Sequence, residues 1–553
     1  MTAPPLTRPP AVGAPARRRR GAVLLTVLAA LFVGGIVLLP SSVEQLTPAA
    51  FLRLPLELVL AGALLMVLPQ RLRRVGTLVL GVALGLLLVL KLLDLGFSTA
   101  LARPFDPVLD WQLFADAFRF VDGAAGRAVA VVAAVAAAAL AVAALAVPVR
   151  AVRRLDGAAA RHPGRARRGF AGLAVAWVAA ILLGLQLVPG LPVADDSTTA
   201  AVRARAALVQ ERLADSEAFA AELATDPFRD TPPEGLLAAL RGKDVVFAVV
   251  ESYGRSAVSS PRLTVAPVLA EGDRRLAAAG YDVRSGWLTS STSGGGSWLA
   301  HASLLSGLWV DNQQRFDTLL ASDRLTLGAA FRDAGWRTVG VMPNTTAPWP
   351  QGQALYGYDR LAAGPDLGYA GPPFSWSAMP DQFTLAAFQR TERARADRAP
   401  VFAELALTSS HAPWTAVPRP VPWETVGDGA VFDGTSASDD SDTRVIFSLD
   451  PEQVRDGYRS SVAYSLETLV SWVETYGDDN LVLVVLGDHE PTPLVTGDAA
   501  SRDVPISVIT RDRAVLDRVG PWGWTAGLAP APDAPVWRMD AFRDRFLTAF
   551  GAP

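Results

Sequence analysis

Five apolar stretches in the first third of the chain limit what it can fold into. They cover residues 21–39, 56–68, 75–90, 128–149 and 170–188. A helix needs about 20 apolar residues to cross the hydrocarbon core, where its backbone finds no other hydrogen-bond partner. The pattern predicts a transmembrane domain of about five helices over residues 21–190. The second stretch is short and contains Glu57, so a re-entrant or interfacial helix is its alternative. A cleaved signal peptide would explain only the first stretch.

Arginines beside these stretches predict how the anchor is oriented. They cluster at 17–20, 71–74 and 150–168, and basic residues are retained on the cytoplasmic side of a membrane. The three clusters fall on one side only if the chain crosses five times. The sequence therefore predicts a multi-pass protein of the cell membrane. Its basic N-terminus, residues 1–20, is cytoplasmic, and everything after the fifth span is extracellular.

The rest of the chain has the pattern of a water-soluble α/β domain. Residues 191–241 have the periodicity of a helical linker, and residues 242–553 alternate apolar runs with amphipathic helices. The predicted strands are 244–250, 338–342, 401–407, 481–486 and 504–510, and the clearest helices are 325–334 and 457–476. Strands alternating with helices predict a mostly parallel sheet covered on both faces. Ligands bind beyond the carboxyl ends of such strands.

Composition excludes several kinds of site. The chain has no cysteine, which excludes disulfides, thiolate metal ligands and cysteine nucleophiles. Its 51 basic and 54 acidic residues nearly balance, so no basic surface for nucleic acid is predicted. Of four histidines, His162 lies in the predicted cytoplasmic loop and is a bystander.

Polar residues follow three of the predicted strands directly. Glu251 follows 244–250, Asp488 and His489 follow 481–486 after one glycine, and His411 follows 401–407 after a short polar segment. Two carboxylates with one imidazole suit Mn²⁺, Mg²⁺ or Zn²⁺. Each of these residues alone would be interpreted as a solvated loop residue, but their common position at strand ends favours a metal site.

A glycine-rich segment supplies a candidate nucleophile. Glycines 294–296 precede a predicted helix that begins at Ser297. Unpaired amides and the positive end of the helix dipole favour a bound phosphate and an alkoxide at this position. Ser297 is therefore a candidate nucleophile, with N-capping of the helix as the alternative. His301 is four residues further on the same helical face, where it could contact a leaving group or be only a supporting or surface residue.

Four motifs occur in the order seen in a known superfamily. They are Val-Val-Glu-Ser-Tyr-Gly at 249–254, the glycine and serine segment at 294–307, Thr-Ser-Ser-His at 408–411 and Gly-Asp-His at 487–489. The chain resembles the sulfatase-like and alkaline phosphatase superfamily. Within it, the resemblance is greatest to lipoteichoic acid synthases and related phosphoglycerol transferases, which also have five transmembrane helices, a linker and an extracellular catalytic domain.

The resemblance implies roles for individual residues. Glu251, Asp488 and His489, together with Ser297, would hold one divalent metal ion, Mn²⁺ in the first instance, with Mg²⁺ or Zn²⁺ as alternatives. Ser297 would replace the family's usual threonine as the nucleophile. His411 would bind the substrate phosphate or assist the leaving group.

Departures from the family pattern limit which of the superfamily's reactions this chain is expected to catalyse. Sulfatases modify a Cys or Ser that is followed by Pro two positions on and Arg four positions on, and here Leu299 and His301 occupy those positions. Phosphatases with two zinc sites need more histidines than this chain offers. Trp349 is expected to contact substrate, as in lipoteichoic acid synthases, but Gln351 stands where those enzymes have a phosphate-binding Arg.

The resemblance implies a membrane-bound phosphotransferase for cell-envelope polymer or glycan modification. Its donor would be a lipid phosphodiester, with a phosphoglycerol or related head group, and its acceptor a cell-envelope glycan or polymer. A sulfatase-like hydrolase that transfers the group to water is the alternative. A catalytically silent envelope protein is the alternative from another class.

Overall fold

The computed structural model describes residues 15–43, 45–101, 103–107, 110–188, 191–372, 377–414, 417–433, 450–497 and 500–552. Most of the predicted basic N-terminus, residues 1–14, and residues 189–190 at the end of the predicted transmembrane region lie outside these ranges. The chain forms two compact units. One comprises Met1–Thr99 and Arg103–Arg212, and the other comprises Ala100–Ala102 and Leu213–Pro553.

The first unit consists mainly of helices. They are α1 Pro15–Leu38, α2 Leu56–Val67, α3 Gln70–Leu101, α4 Trp111–Ala125, α5 Arg127–Arg161 and α6 Pro163–Leu182, followed by α7 Ser197–Ala224, which continues into the second unit. Four short strands pair two by two, β1 Leu54–Pro55 with β4 Ala194–Asp195 and β2 Gln186–Val188 with β3 Leu191–Pro192.

Among the described residues of this unit, three helical segments are long and apolar enough to cross a membrane. They are Gly21–Leu38, Gln70–Thr99 and Arg127–Arg161, and Leu56–Val67 is a shorter apolar helix. The three segments agree with the predicted membrane anchor. The count of five spans and their orientation stay predictions.

In the described part of the second unit, nine strands form one sheet. They are β5 Asp244–Val250, β6 Asp282–Thr289, β7 Arg337–Met342, β8 Arg360–Ala363, β9 Val401–Leu407, β10 Leu481–Gly487, β11 Asp503–Thr510, β12 Thr525–Ala526 and β13 Val536–Arg538. Their order is β12-β6-β11-β10-β5-β9-β7-β8, and β13 pairs with β6.

The sheet is mixed but mostly parallel, as predicted, because five of the eight pairings between its described strands are parallel and three are antiparallel. Strands β10, β5, β9, β7 and β8 are parallel neighbours, whereas β11 is antiparallel to both β10 and β6. In the described part of the connection from β10 to β11, residues 488–497 and 500–502, the one helix is the four-residue Pro493–Thr496. That helix is too short to cover the sheet, and a parallel neighbour usually requires a longer crossover.

Helices cover both faces of this sheet. They are α8 Ser256–Ser259, α9 Ala266–Ala278, α10 Ser297–Ser306, α11 Gln313–Leu320, α12 Leu327–Asp333, α13 Pro350–Tyr356, α14 Asp381–Phe388, α15 Pro451–Tyr476, α16 Pro493–Thr496, α17 Arg513–Val519 and α18 Ala541–Phe550. Alternate residues of β5 pack into two cores, with Val245 and Phe247 in one and Val246 and Ala248 in the other. Burial on both faces explains the unbroken apolar runs of β5 and β10.

Candidate active site

Four strands deliver polar residues to one edge of the sheet. Strands β5, β9 and β10 are parallel, and β6 runs in the same direction because it and β10 are both antiparallel to β11. The segments after β5, β10 and β6 carry Glu251, His489 and Ser297 respectively, and His411 follows β9. The structure therefore brings these predicted site residues to one edge of the sheet.

Glu251 begins a tight turn at the end of β5. Its backbone N–H donates to the carbonyl of Leu407, and Ser252 donates from Oγ to Glu251 Oε1 at 2.9 Å. Ser252 has a φ of 56°, a left-handed conformation that is costly for a residue with a side chain. This turn points the Ser252 amide at Asp488, to whose Oδ1 it donates at 2.7 Å.

Asp488 has one satisfied and one unsatisfied oxygen. Oδ1 accepts hydrogen bonds from the amides of Ser252 and His489, both at 2.7 Å. Oδ2 is buried and has no hydrogen-bond partner. Because an unpaired buried polar atom is costly, this oxygen is a candidate for binding a cation.

His489 presents one ring nitrogen to the same point. Its Nδ1 donates to the carbonyl of Glu490 at 2.8 Å, which leaves the Nε2 lone pair free to bind a metal ion. Nε2 lies 3.4 Å from Glu251 Oε1 and 3.5 Å from Asp488 Oδ2. A second contact to a backbone carbonyl is the usual way in which proteins orient a metal-binding histidine.

Ser297 is the first residue of α10. Its Oγ lies 3.0 Å from Glu251 Oε2 and 3.2 Å from His489 Nε2. Gly296 occupies the N-cap position, and no side chain caps the helix, so the capping role considered for Ser297 is not the one that the structure shows. Gly294, Gly295 and Gly296 all have positive φ, between 75° and 151°, which glycine adopts far more readily than other residues.

Burial and mutual charge determine the protonation of this cluster. Burial raises the pKa of Asp488, and the neighbouring Glu251 carboxylate raises it further. Burial also opposes ionisation of Glu251, but His489 and His411 outweigh it and lower the pKa of Glu251. For His489, burial lowers the pKa, and the carboxylates of Asp488 and Glu251 reverse this and raise it. Two close buried carboxylates repel each other, and a cation between them would relieve that repulsion.

The group fits a divalent metal ion. Glu251, Asp488 and His489 are buried, and one ligand atom from each lies within 4.8 Å of the others. Two carboxylates and one imidazole form a donor set for Mn²⁺, Mg²⁺ or Zn²⁺. Such an ion could bind the unpaired Asp488 Oδ2 and His489 Nε2, whose hydrogen-bonding contact is Ser297 Oγ at 3.2 Å.

A cavity of about 350 Å³ adjoins the cluster. Glu251, Ser297 and His489 line it, and so do the predicted substrate contacts His301, His411 and Trp349. Trp349 stacks on Phe316 with ring centroids 6.2 Å apart. The described residues that line the cavity include no Lys or Arg.

Glu404 and its hydrogen-bond partners form a second group at the cavity, and the sequence alone did not predict this group. Glu404 lies within β9 and lines the cavity, with Oε1 2.5 Å from Nδ1 of His301. Its Oε2 accepts a hydrogen bond from the hydroxyl of Tyr358. Burial lowers the pKa of His301, but Glu404 outweighs burial and raises it. The only signal in the sequence was a single carboxylate inside an apolar strand.

The comparisons with known proteins relate the chain to solved structures. No protein-family model and no curated protein matches it. The lipoteichoic acid synthase LtaP from Listeria monocytogenes is 15% identical over 50% of this chain and 68% of that one, with a TM-score of 0.33. An alkaline phosphatase superfamily protein from Vibrio parahaemolyticus is 15% identical over 54% and 68%, with a TM-score of 0.34.

A third structure is the Streptococcus pyogenes phosphoglycerol transferase GacH in complex with sn-glycerol-1-phosphate. It is 12% identical over 62% of this chain and 92% of that one, with a TM-score of 0.36. At these identities and TM-scores the likeness says nothing of the activity, and the chemistry of the site follows from its own residues.

Proposed function

We propose that the chain is a membrane-bound, metal-dependent phosphotransferase that acts on a lipid phosphodiester through Ser297. The observation that carries this proposal is the position of the Ser297 hydroxyl. It lies at the start of a helix, 3.0 Å from Glu251 Oε2 and 3.2 Å from His489 Nε2. Unpaired amides at a helix N-terminus favour an anion, and a serine beside a metal site is a suitable nucleophile.

Glu251, Asp488 and His489 would hold the metal ion, for which we propose Mn²⁺ before Mg²⁺ or Zn²⁺. When bound, such an ion makes the serine hydroxyl more acidic and neutralises charge on the phosphoryl oxygens. Ser297 Oγ attacks phosphorus, the lipid alcohol departs, and a phosphoserine intermediate forms. A hydroxyl of the acceptor then displaces Ser297. We propose that His411, which lines the same cavity, contacts the phosphoryl group.

The lining of the cavity bears on the head group that is transferred. Trp349 offers an aromatic face, whereas the described lining residues contribute no Lys or Arg. A second phosphate or a sulfate on the substrate would therefore lack a Lys or Arg partner among the described lining residues. We therefore propose a donor whose only anionic group near the cavity is the reacting phosphodiester, such as phosphatidylglycerol. A cell-envelope glycan or polymer is the proposed acceptor.

The N-terminal helices suit an enzyme whose donor is a lipid. We propose five transmembrane spans over residues 21–190, a cytoplasmic N-terminus, a linker over 191–241 and an extracellular catalytic domain over 242–553. This arrangement keeps the catalytic domain at the membrane surface, where the donor is concentrated.

The test is incubation of the purified full chain with Mn²⁺ and head-group-labelled phosphatidylglycerol, with and without an acceptor glycan. We expect diacylglycerol release and mass-shifted acceptor. Release of free phosphoglycerol in both arms would identify a hydrolase instead. Ser297→Ala should abolish turnover and retain bound metal, as measured by elemental analysis. Activity in that variant would shift the nucleophile to Thr292 or remove the covalent step, and a wild-type protein that binds no divalent metal and turns over no phosphodiester would contradict the proposal.

A further inference from the structure

A carboxyl group occupies the middle of an otherwise apolar central strand. Glu404 is 0% exposed and pairs in register with Phe247 of β5 and Gly340 of β7. Burying a carboxylate costs several kcal/mol unless it is paired, and an apolar residue at such a position is often at least as stable. Packing of the sheet therefore does not account for Glu404, and its two partners indicate what it does.

Those partners connect Glu404 to the reaction cavity. One oxygen lies 2.5 Å from Nδ1 of His301, and the other accepts from the hydroxyl of Tyr358. The Tyr358 contact fixes the carboxylate, and the carboxylate in turn fixes the imidazole with Nδ1–H towards Glu404. Nε2 is then the nitrogen of His301 that a bound substrate can use.

His301 is close to the reacting serine by helix geometry. It lies four residues after Ser297 on α10, and both residues line the same cavity. Side chains four residues apart lie on one face of a helix, with about 6 Å between their Cβ atoms. In an in-line displacement the departing oxygen is on the far side of phosphorus from Ser297 Oγ. A side chain one helical turn away can therefore reach the oxygens bound to phosphorus.

We propose that His301, oriented by Glu404, gives a proton to the oxygen that leaves phosphorus and takes a proton from the hydroxyl that replaces it. The proposal rests on phosphotransfer through Ser297. In the first step Ser297 Oγ, whose proton has passed to solvent, bonds to phosphorus as the bond from phosphorus to the lipid oxygen breaks. Protonated Nε2 transfers its proton to that oxygen. In the second step the acceptor hydroxyl gives its proton to Nε2, its oxygen bonds to phosphorus, and the bond to Ser297 breaks. Ser297 Oγ takes a proton back from solvent, so both residues return to their starting states.

Whether the departing oxygen needs a proton depends on the leaving group. Two substrates with different leaving groups therefore test the proposal. The full chain with Mn²⁺ is given phosphatidylglycerol, whose departing alcohol must be protonated, or bis(4-nitrophenyl) phosphate, whose phenolate departs without a proton. Product release in the first turnover is measured for both. We expect His301→Gln to slow the lipid reaction by about 10²- to 10⁴-fold and the nitrophenyl reaction by less than about 10-fold. Glu404→Gln should give the same pattern with a smaller loss.

Controls separate this role from a structural one. Asp323→Asn changes an exposed carboxyl group that does not line the cavity, so it should keep the wild-type ratio of the two rates. Tyr358→Phe removes the contact that fixes Glu404, so it should change the ratio in the same direction as Glu404→Gln. Melting temperature and metal content establish that each variant is folded. Equal losses on both substrates in His301→Gln and Glu404→Gln would overturn the acid–base role and leave the proposed function intact. If the wild-type protein releases product from neither substrate, both proposals fail.

Discussion

The Oγ of Ser297 lies 3.2 Å from Nε2 of His489, although 192 residues separate the two in the chain. The sheet explains this proximity, because the strands that precede them, β6 and β10, both pair with β11. The site is therefore assembled by the central sheet and not by any local segment, and disturbing one strand end should affect all of its ligands.

Asp488→Asn tests the cluster as a metal site without relying on activity. Asparagine keeps an oxygen for the amides of Ser252 and His489 and replaces the unpaired Oδ2 with an amide that cannot bind a cation. Saturating metal at 100 times its Kd stabilises a folded protein by about 2.7 kcal/mol. Added Mn²⁺ should raise the melting temperature of the wild-type protein but not that of Asp488→Asn. An equal rise in both would place the ion elsewhere.

Much of this site was predictable from the sequence because of the character of its strands. Strands β5 and β10 are fully buried, so their apolar runs are unbroken and the polar residues that follow them stand out. Strand β6 was not predicted, since Arg284, Ser285 and Gly286 interrupt its apolar alternation. The antiparallel direction of β11 was missed for a different reason, because direction depends on the connection and not on the composition of a strand.

Glu404 could not have been found by the same reasoning. It is one carboxylate in an apolar strand, and its partners are 46 and 103 residues away in the chain. Nothing in the local pattern indicates that Tyr358 and His301 converge on it. The position of residues that directly follow a strand can be predicted once the strand is recognised. A contact between distant residues, such as Glu404 with Tyr358 or His301, can be predicted only when the strand register and the position of α10 are known.

The absence of cysteine from the chain allows the orientation to be measured with single-cysteine variants. Gly164 is exposed near the start of α6, within the basic segment 150–168, and the side chain of Asp323 is 83% exposed in the second unit. In intact cells a membrane-impermeant maleimide should label Asp323→Cys and not Gly164→Cys. Both should be labelled after the cells are opened. Labelling of Gly164→Cys in intact cells would contradict a cytoplasmic basic loop.

Asp226→Ala should destabilise the second unit strongly. Its Oδ1 accepts a hydrogen bond at 2.5 Å from Arg543, and both side chains are 0% exposed. Arg324, also buried, lies 3.4 Å from Oδ2. Removing the carboxylate would leave two buried guanidinium groups without their shared partner, at a cost of about 3–5 kcal/mol. The melting temperature in detergent measures this loss.

Asp323 provides the matched control for that measurement. It pairs with Arg229 at 2.6 Å, but its side chain is 83% exposed. Exposed ion pairs contribute at most about 1 kcal/mol, so Asp323→Ala should leave the melting temperature nearly unchanged. If the melting temperature falls by similar amounts in Asp226→Ala and Asp323→Ala, burial does not explain how much the Asp226 ion pair stabilises the protein.

Asp381 should make stability depend on pH. Burial raises its pKa to about 6 from an ordinary value of 3.8, and its oxygens accept from the Ser409 amide and the Ser465 hydroxyl. The folded protein therefore binds this proton more tightly than the unfolded chain does. The resulting stabilisation is complete below pH 3.8 and is lost as the pH rises through about 6. A shift of this size is equivalent to about 3 kcal/mol. Asp381→Asn cannot ionise, so the melting temperature of the variant minus that of the wild-type protein should increase between pH 4 and pH 7. A difference that stays constant over this interval would mean that the carboxyl titrates alike in both states.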